Sequence, residues 1–157
     1  MTLSLCMIVR NEEEDLPRCL DSVKDIVDEM VIVDTGSTDS TIAIARKYGA
    51  KVFFYKWDNN FSNARNFALE HASGDWILLM DADDELEKED KFKLLDLLKN
   101  ADCDAYFFET LSYVGDKPGL DIIMNLNIRL VKNHKGYRFE GAIHEQLASN
   151  IIRLNKN

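Results

Sequence analysis

Short runs of consecutive apolar residues recur along the first half of the chain, each separated from the next by a more polar stretch. Such runs are typical of strands that are buried on both faces, as in a parallel sheet. They predict four buried strands, at residues 3–9, 30–33, 51–55 and 76–80. Helices are predicted at about 16–23, after the loop 34–39 as far as Gly49, between Ser62 and Gly74, and at about 87–100. The alternation predicts a parallel sheet with helices on both faces.

The pattern changes in the last third of the chain. Residues 105–114 resemble a strand and residues 115–119 a turn, and apolar residues then alternate with mostly polar ones from 122 to 130. A period of two predicts a strand with one buried face, so this part is expected to add antiparallel strands. The predicted fold class is therefore α/β: a mostly parallel central sheet flanked by helices, with an antiparallel C-terminal part, in one domain over residues 1–157.

Side chains that cap helices are predicted at three helix starts. Asp15 precedes the first helix, Ser37 or Thr38 the second, and Ser62 the third. Their short oxygen-bearing side chains can accept hydrogen bonds from the unpaired N–H groups of a first helical turn. These residues are expected to fix where each helix begins.

Composition and charge narrow the class of protein and of partner. Hydrophobic residues make up 46% of the 157 residues and charged residues 30%, as in a soluble globular domain. The formal net charge of -9 argues against nucleic acid as a partner, because binding a phosphate backbone needs a basic face. A nucleotide is compatible with this charge, since one metal ion and one arginine can hold its few phosphates.

Cysteine usage and the length of the apolar runs bear on the compartment. Cys6, Cys19 and Cys103 are far apart and odd in number, which predicts reduced thiols in the core of a cytoplasmic protein. No apolar run approaches the roughly 18 residues that a membrane-spanning helix needs, so no transmembrane segment is predicted. Peripheral attachment at the inner face of a membrane is left open.

Polar clusters follow three of the predicted parallel strands, at residues 10–13, 34–37 and 81–85. Open parallel sheets bind ligands beyond the carboxyl ends of their strands, so three clusters on one edge indicate a functional site. Asp81 and Asp83 are alternate residues of an extended segment, and both carboxylates can face one small region. Their oxygens suit Mg²⁺ or Mn²⁺, which also bind substrate phosphates. The alternative is an acidic first turn of a helix, but four acids in five residues favour the metal.

Further polar residues have both a structural and a functional interpretation. Asp34 could belong only to a turn, or it could accept hydrogen bonds from the base or ribose of a nucleotide. Arg65 could be a surface arginine or a clamp on a diphosphate, whose oxygens match a guanidinium. Late in the chain, His144 and Glu145 offer an extra metal ligand or a general base, and the second histidine of a zinc-protease motif is missing.

With these residues in place, the sequence resembles the family 2 glycosyltransferases of the GT-A fold. It is most similar to the bacterial branch that is often fused to tetratricopeptide repeats. The matching segments are residues 7–13, 31–41, 64–66, 74–85 and 141–145. They run in family order through almost the whole chain, which makes the resemblance far more specific than any one motif.

The resemblance implies a nucleotide-diphosphate sugar donor, with UDP as the expected nucleotide, and a divalent cation, Mn²⁺ or Mg²⁺. It implies that Asp34 holds the nucleoside together with the chain around Val9, Asn11 and Glu12. It also implies that Arg65 approaches the nucleotide or its diphosphate.

The catalytic end of the site follows from the same resemblance. Asp81 is expected near the ribose or the metal, and Asp83 as a metal ligand that takes part in catalysis. The family's base is a carboxylate late in the chain, and Glu145 is the candidate by position, with His144 beside the metal or diphosphate. The implied reaction is a single displacement that inverts the sugar's anomeric configuration, onto an acceptor that the sequence does not identify among glycans, lipids and proteins.

Three alternatives stay open at this point. A sugar-phosphate nucleotidyltransferase is expected to carry a glycine-rich, basic loop after its first strand, where this chain is acidic. A haloacid-dehalogenase-type phosphatase is expected to carry its Asp-x-Asp motif at the first strand rather than the fourth. The third alternative is a non-catalytic nucleotide-binding module. Family members usually extend further, so residues 1–157 are expected to be a catalytic core truncated at the C-terminus.

Overall fold

The computed structural model describes residues 1–114 and 121–156, so the turn predicted at 115–119 lies outside the described residues. Strands and helices alternate along the first hundred residues, and two long strands and one helix follow. The elements are β1 (Leu3–Val9), α1 (Leu16–Val23), β2 (Glu29–Asp34), α2 (Thr41–Lys47), β3 (Lys51–Phe54), α3 (Phe61–His71), β4 (Trp76–Leu79), α4 (Lys88–Lys99), β5 (Ala105–Val114), β6 (Asp121–Lys132) and α5 (Ala148–Asn155).

The strands form one six-stranded sheet in the order β3-β2-β1-β4-β6-β5. Its first four strands are parallel, with Cys6 of β1 opposite Val31 of β2 and Leu79 of β4. β6 runs antiparallel to both β4 and β5. The predicted mostly parallel sheet with an antiparallel C-terminal part is confirmed, and the carboxyl ends of β1, β2 and β4 share one edge.

Helices cover both faces of β1, β2 and β4, which explains why these strands are nearly continuous apolar runs. The predicted burial is wrong for the edge strand β3, whose Lys51 and Phe54 are exposed. Leu5 and Met7 of β1 pack in a cluster with residues of α1 and α4. Cys6, between them, packs in a second cluster with Ala68 of α3 and Ile151 of α5. Because successive side chains of a strand point to opposite faces, each residue of β1 meets one of two cores.

Ser62 lies inside α3, so the prediction that it caps this helix is wrong. Asn60 is the cap, and its side chain accepts a hydrogen bond from the backbone N–H of Asn63. The hydroxyl of Ser62 instead donates to the carbonyl oxygen of Gly141 at 2.5 Å. A residue predicted to fix a helix start therefore ties α3 to the loop that carries His144 and Glu145.

The other two predicted caps differ in outcome. Asp15 occupies the capping position of α1, as predicted, but its side chain makes no capping hydrogen bond. The prediction for α2 is wrong. α2 begins after Ser40, two or three residues beyond the predicted Ser37 or Thr38. Ser37 and Thr38 instead form hydrogen bonds with Asn11 in the loop after β1. These contacts between two loops replace the predicted helix-capping hydrogen bonds.

β6 has the predicted strand conformation, but the expected burial of one face is wrong for most of its length. Leu130 is fully buried where β6 pairs with β4. Ile122, Met124 and Leu126 are each between 52% and 62% exposed. A period of two shows which side chains share a face, but it does not show whether another element of the chain packs on that face.

Two of the three cysteines are core residues, as predicted. Cys6 and Cys19 are buried, whereas Cys103 is exposed in the segment between α4 and β5, so the prediction of a core thiol is wrong there. All three are free thiols. Among the helices of the described residues, none combines the length and the apolar character needed to cross a membrane.

Candidate active site

The loops after β1 and β2 are joined by hydrogen bonds at the carboxyl edge of the sheet. The backbone N–H of Thr35 donates to the carbonyl oxygen of Val9 at 3.0 Å. The amide oxygen of Asn11 accepts from the backbone N–H of Thr38 at 2.8 Å. The backbone N–H of Glu12 donates to the hydroxyl of Thr41 at 2.7 Å. Val9, Asn11 and Glu12 are thereby brought to the end of β2, where Asp34 lies.

Asp34 is buried and holds its own turn. Its carboxylate accepts hydrogen bonds from the backbone N–H of Gly36 at 3.0 Å and of Ser37 at 3.2 Å. Gly36 has a φ of 116°, a conformation that side chains rarely adopt, so glycine is needed in this turn. The structural interpretation of Asp34 is therefore confirmed, while its contact with a nucleoside stays a prediction.

Asp81 follows β4 and both of its carboxylate oxygens are held by arginines. Arg65 donates to Oδ1 at 2.8 Å and Arg129 donates to Oδ2 at 3.0 Å. Burial works against ionisation of Asp81, but the charges and hydrogen bonds of the two arginines outweigh it and lower the pKa of this carboxyl group. Asp81 is therefore a stable anion between two cations.

Arg65 links Asp81 to the late loop of the chain. Its Nε donates to the carboxylate of Glu145 at 2.5 Å, and the two side chains are only 15% and 14% exposed. Burial alone would lower the pKa of Arg65, but Asp81 and Glu145 more than offset this and raise it. The interpretation of Arg65 as an ordinary surface arginine is excluded, because its mostly buried guanidinium bridges two carboxylates at the wall of a cavity.

Arg129 and Asp84 are site residues that the sequence analysis missed. Arg129 forms an ion pair with Asp84 at 2.9 Å, and Asp84 also accepts a hydrogen bond from the backbone N–H of Asp81 at 2.8 Å. In the sequence Arg129 lies between Ile128 and Leu130, at a polar position of a strand predicted to have one buried face. That pattern predicts an exposed arginine, so it gave no signal that Arg129 would pair with the acidic cluster at 81–85.

A cavity of about 300 Å³ opens beside these ion pairs. Its lining includes Arg65, Asp81, Arg129, His144 and Glu145. The cavity thus joins the end of β4, helix α3, strand β6 and the loop before α5. A larger cavity of about 420 Å³ lies at the opposite edge of the sheet, near residues 27–30, and contains none of these side chains.

The loop that carries Glu145 is held at its base by a pair of backbone hydrogen bonds. Glu140 and Gln146 exchange N–H···O bonds at 3.0 and 2.9 Å. The side chain of Glu140 turns toward α5, where it accepts hydrogen bonds from Asn150 and Arg153. Of the two carboxylates in this region, only Glu145 therefore faces the cavity.

Asp83 is exposed, and among the described residues its carboxylate forms none of the hydrogen bonds and ion pairs found in this loop. Its backbone oxygen accepts a hydrogen bond from Arg18 at 3.3 Å. Burial, followed by the negative charge of Asp83 and other acids, raises the pKa of Glu12. The loops after β1 and β4 therefore share a region of concentrated negative charge, which favours a cation.

Comparison with known families decides where the chain belongs. Residues 4–142 match the family model described as Glycosyl transferase family 2. The chain belongs to glycosyl transferase family 2. This match includes the predicted site residues from Val9 to Asp83 and stops just before His144 and Glu145.

Relatives in the family agree with the predicted branch. The chain is 43% identical to a TPR repeat-containing protein of Synechococcus elongatus, over 98% of this chain and 37% of that protein. It is 30% identical to the SPbeta prophage-derived glycosyltransferase SunS of Bacillus subtilis, over 92% of this chain and 34% of that protein. The chain thus spans about a third of the length of these relatives.

Solved structures of S. aureus TarS share the fold. TarS 1-349 in complex with UDP superposes with a TM-score of 0.63 at 26% identity, over 77% of this chain and 38% of that chain. The same protein in complex with UDP-GlcNAc gives a TM-score of 0.62, over 77% and 37%. The GT-A fold predicted for this member of glycosyl transferase family 2 is confirmed.

The residues of this member fit a cation that arrives with its substrate. Within the described part of the chain, no group of three or more His, Cys, Asp or Glu side chains is arranged to hold a metal ion. Mg²⁺ is commonly held by one or two carboxylates together with substrate phosphates. The exposed Asp83, with the partly exposed Asp81 two residues before it, supplies such a partial ligand set. The metal roles of Asp81, Asp83 and His144 stay predictions.

Proposed function

We propose that this chain is the catalytic core of an inverting glycosyltransferase, which moves a sugar from a UDP-linked donor to an acceptor hydroxyl. The observation that carries the proposal is the bridge by which Arg65 joins Asp81 to Glu145 beside one cavity. The bridge supports the proposal because Glu145, as the base, would lie next to the donor diphosphate, at the edge where parallel sheets bind ligands. TarS, solved with UDP and with UDP-GlcNAc, supports the choice of donor.

The nucleoside would lie over the ends of β1 and β2. Asp34 would accept hydrogen bonds from the base or ribose, and the backbone at Val9 with the loop at Asn11 and Glu12 would form the floor. Arg65 would reach the diphosphate, because its planar guanidinium can donate two parallel hydrogen bonds to phosphate oxygens. Since Arg65 is already bound to Asp81 and Glu145, the donor would share or replace one of these contacts.

The departing diphosphate needs compensation for its growing negative charge. Asp83, with Asp81 and with His144 nearby, would hold the divalent cation, Mn²⁺ or Mg²⁺. When bound, this ion would neutralise charge on the leaving group. Arg65 and Arg129 also line the cavity, and their guanidinium groups would donate hydrogen bonds toward the charge that develops on the leaving group.

Glu145 would act as the general base. Its carboxylate would take the proton of the acceptor hydroxyl while the acceptor oxygen forms a bond to the anomeric carbon. The bond from that carbon to the diphosphate oxygen would break, and UDP would leave with the bonding electrons. Attack opposite the leaving group inverts the configuration at this carbon. Arg65 would orient Glu145 through its hydrogen bond.

An assay of UDP release tests the proposal. The protein is incubated with UDP-GlcNAc and other UDP-sugars in the presence of Mn²⁺, and UDP is measured with and without candidate acceptors. We expect slow hydrolysis of at least one donor, which Asp83→Asn abolishes and Asp21→Asn, a change at an exposed residue of α1, does not. Binding of UDP without any hydrolysis or transfer would instead indicate a non-catalytic nucleotide-binding module.

A further inference from the structure

Arg129 reaches the acidic loop because of how the strands pair. It lies in β6, which runs antiparallel to β4 with Leu130 opposite Leu78. One residue before Leu130, the guanidinium of Arg129 lies at the end of β4, where Nη1 is 3.5 Å from the carbonyl oxygen of Leu79. The side chain is only 13% exposed. The fold therefore places a buried cation at the point where residues 81–85 begin.

The guanidinium of Arg129 contacts the acids at both ends of a tight turn. Its Nη1 donates to the carboxylate of Asp81 at 3.0 Å, and its Nη2 lies 2.9 Å from the carboxylate of Asp84. The turn is closed by two hydrogen bonds between these acids, from the backbone N–H of Asp84 to the carbonyl oxygen of Asp81 at 3.1 Å and from the backbone N–H of Asp81 to the carboxylate of Asp84. Asp83 lies inside this turn.

A lysine could not replace these contacts, because only arginine offers two donors in a rigid planar fork. Without the fork, Asp81 and Asp84 would repel each other. The turn would then be free to open, and the direction of the Asp83 side chain would no longer be fixed. Arg129 makes no hydrogen bond or ion pair with Asp83 in the described structure, so any effect on it passes through Asp81 and Asp84.

We propose that Arg129 is a positioning residue. Its fork on Asp81 and Asp84 holds residues 81–84 in the conformation in which Asp83 binds the divalent cation together with the donor diphosphate. This inference rests on the proposed function, in which Asp83 is the cation ligand. It assigns to Arg129 and Asp84 a structural part in cation binding, and to neither of them a contact with the cation.

The test is titration calorimetry of UDP with the Arg129→Lys and Arg129→Gln variants, once with Mn²⁺ and once with EDTA. Loss of an outer-sphere partner typically costs about 10- to 100-fold in metal affinity. We expect a loss of that size in the affinity for UDP with Mn²⁺, and affinity in EDTA within about twofold of the wild type. Arg138→Gln, which changes a half-exposed arginine paired with Glu70, is the matched control and should behave as the wild type.

Asp84→Asn tests the same turn and leaves the side chain of Arg129 unchanged. It should also weaken Mn²⁺-dependent binding of UDP. Adding Arg129→Lys to it should cause a total loss smaller than the sum of the two separate losses, because both changes break the Arg129–Asp84 contact. Additive losses, an unchanged Asp84→Asn variant, or an equal loss of UDP affinity in Mn²⁺ and in EDTA would overturn the inference. The last result would mean that Arg129 contacts the donor itself. Wild-type protein that binds UDP equally with and without Mn²⁺ would overturn the metal role in the proposed function as well.

Discussion

Arg65 and Glu145 lie 80 positions apart in the sequence, and the Nε of Arg65 donates to the Glu145 carboxylate at 2.5 Å. The contact joins helix α3 to the loop before α5, and the Ser62–Gly141 hydrogen bond supports it from the side. Because the same guanidinium also holds Asp81, a single side chain connects the candidate base with the candidate diphosphate site. A donor that displaced Arg65 from Asp81 would therefore also change the contact between Arg65 and Glu145.

Glu145→Gln tests the assignment of the base. The amide keeps the size of the side chain but cannot take a proton, so donor affinity should be retained while sugar transfer falls by about 10²-fold or more. Steady-state transfer and calorimetry with the UDP-sugar measure the two quantities. Glu140→Gln is the control, since Glu140 faces Asn150 and Arg153 rather than the cavity. Near-normal turnover in Glu145→Gln would remove this residue from the mechanism.

Arg65→Ala tests the strength of the buried bridge. It would leave Glu145, whose side chain is 14% exposed, without this partner, whereas Asp81 keeps its hydrogen bond from Arg129. Leaving one mostly buried charged group without its hydrogen-bond partner typically costs about 1–3 kcal/mol in the free energy of unfolding. Urea denaturation measures this quantity. The control is Arg18→Ala, because Arg18 is about half exposed and its pairs with Asp15 and Glu85 should contribute no more than about 1 kcal/mol. Similar losses in both variants would contradict the picture of a buried bridge.

Glu29 gives the fold a pH dependence at the edge of the sheet opposite the site. Its burial opposes ionisation, but hydrogen bonds from Lys51, Ser4 and Ser73 outweigh this and lower its pKa from 4.5 to about 2. Because the folded pKa is depressed, the stabilisation is complete above pH 4.5 and is lost as the pH falls toward 2.

We therefore expect Glu29→Gln to be less stable than the wild type near neutral pH, and the difference in melting temperature to shrink between pH 4.5 and 2. Melting curves of both proteins across this range measure the difference. Glu14→Gln, at an exposed glutamate, should show no comparable change with pH. A constant difference between the wild type and Glu29→Gln at every pH would mean that packing, rather than charge, explains the effect of Glu29.

The parallel half of the fold could be predicted because each buried strand is a run of mostly apolar residues in the sequence. The run from Leu3 to Val9 is apolar except for Ser4, since its alternate residues meet two cores. The acids at Asp81 and Asp83 could be found in the same way, because they follow directly after such a run. These signals are local, so a single sequence contains them in full.

The missed features depend on contacts between distant parts of the chain. Arg129 becomes a partner of Asp84 only through the register of β6 on β4. Ser62 was predicted as a helix cap because the local sequence shows only that it lies near a helix start. Its actual partner, Gly141, is 79 positions away. The alternation around Met124 predicted a buried face, but no local pattern states what covers a face.

In the proposed function, the chain binds a UDP-sugar through a divalent cation held at Asp83. Titration calorimetry of UDP with the wild type and with Asp83→Asn, each in Mn²⁺ and in EDTA, tests this role of Asp83. Removing one ligand charge from an exposed loop should leave the melting temperature nearly unchanged. We predict that Mn²⁺ strengthens UDP binding to the wild type by about tenfold or more and that this gain disappears in Asp83→Asn. Equal UDP affinity in Mn²⁺ and EDTA for the wild type would exclude a cation in UDP binding, and an undiminished gain in Asp83→Asn would exclude Asp83 as its ligand.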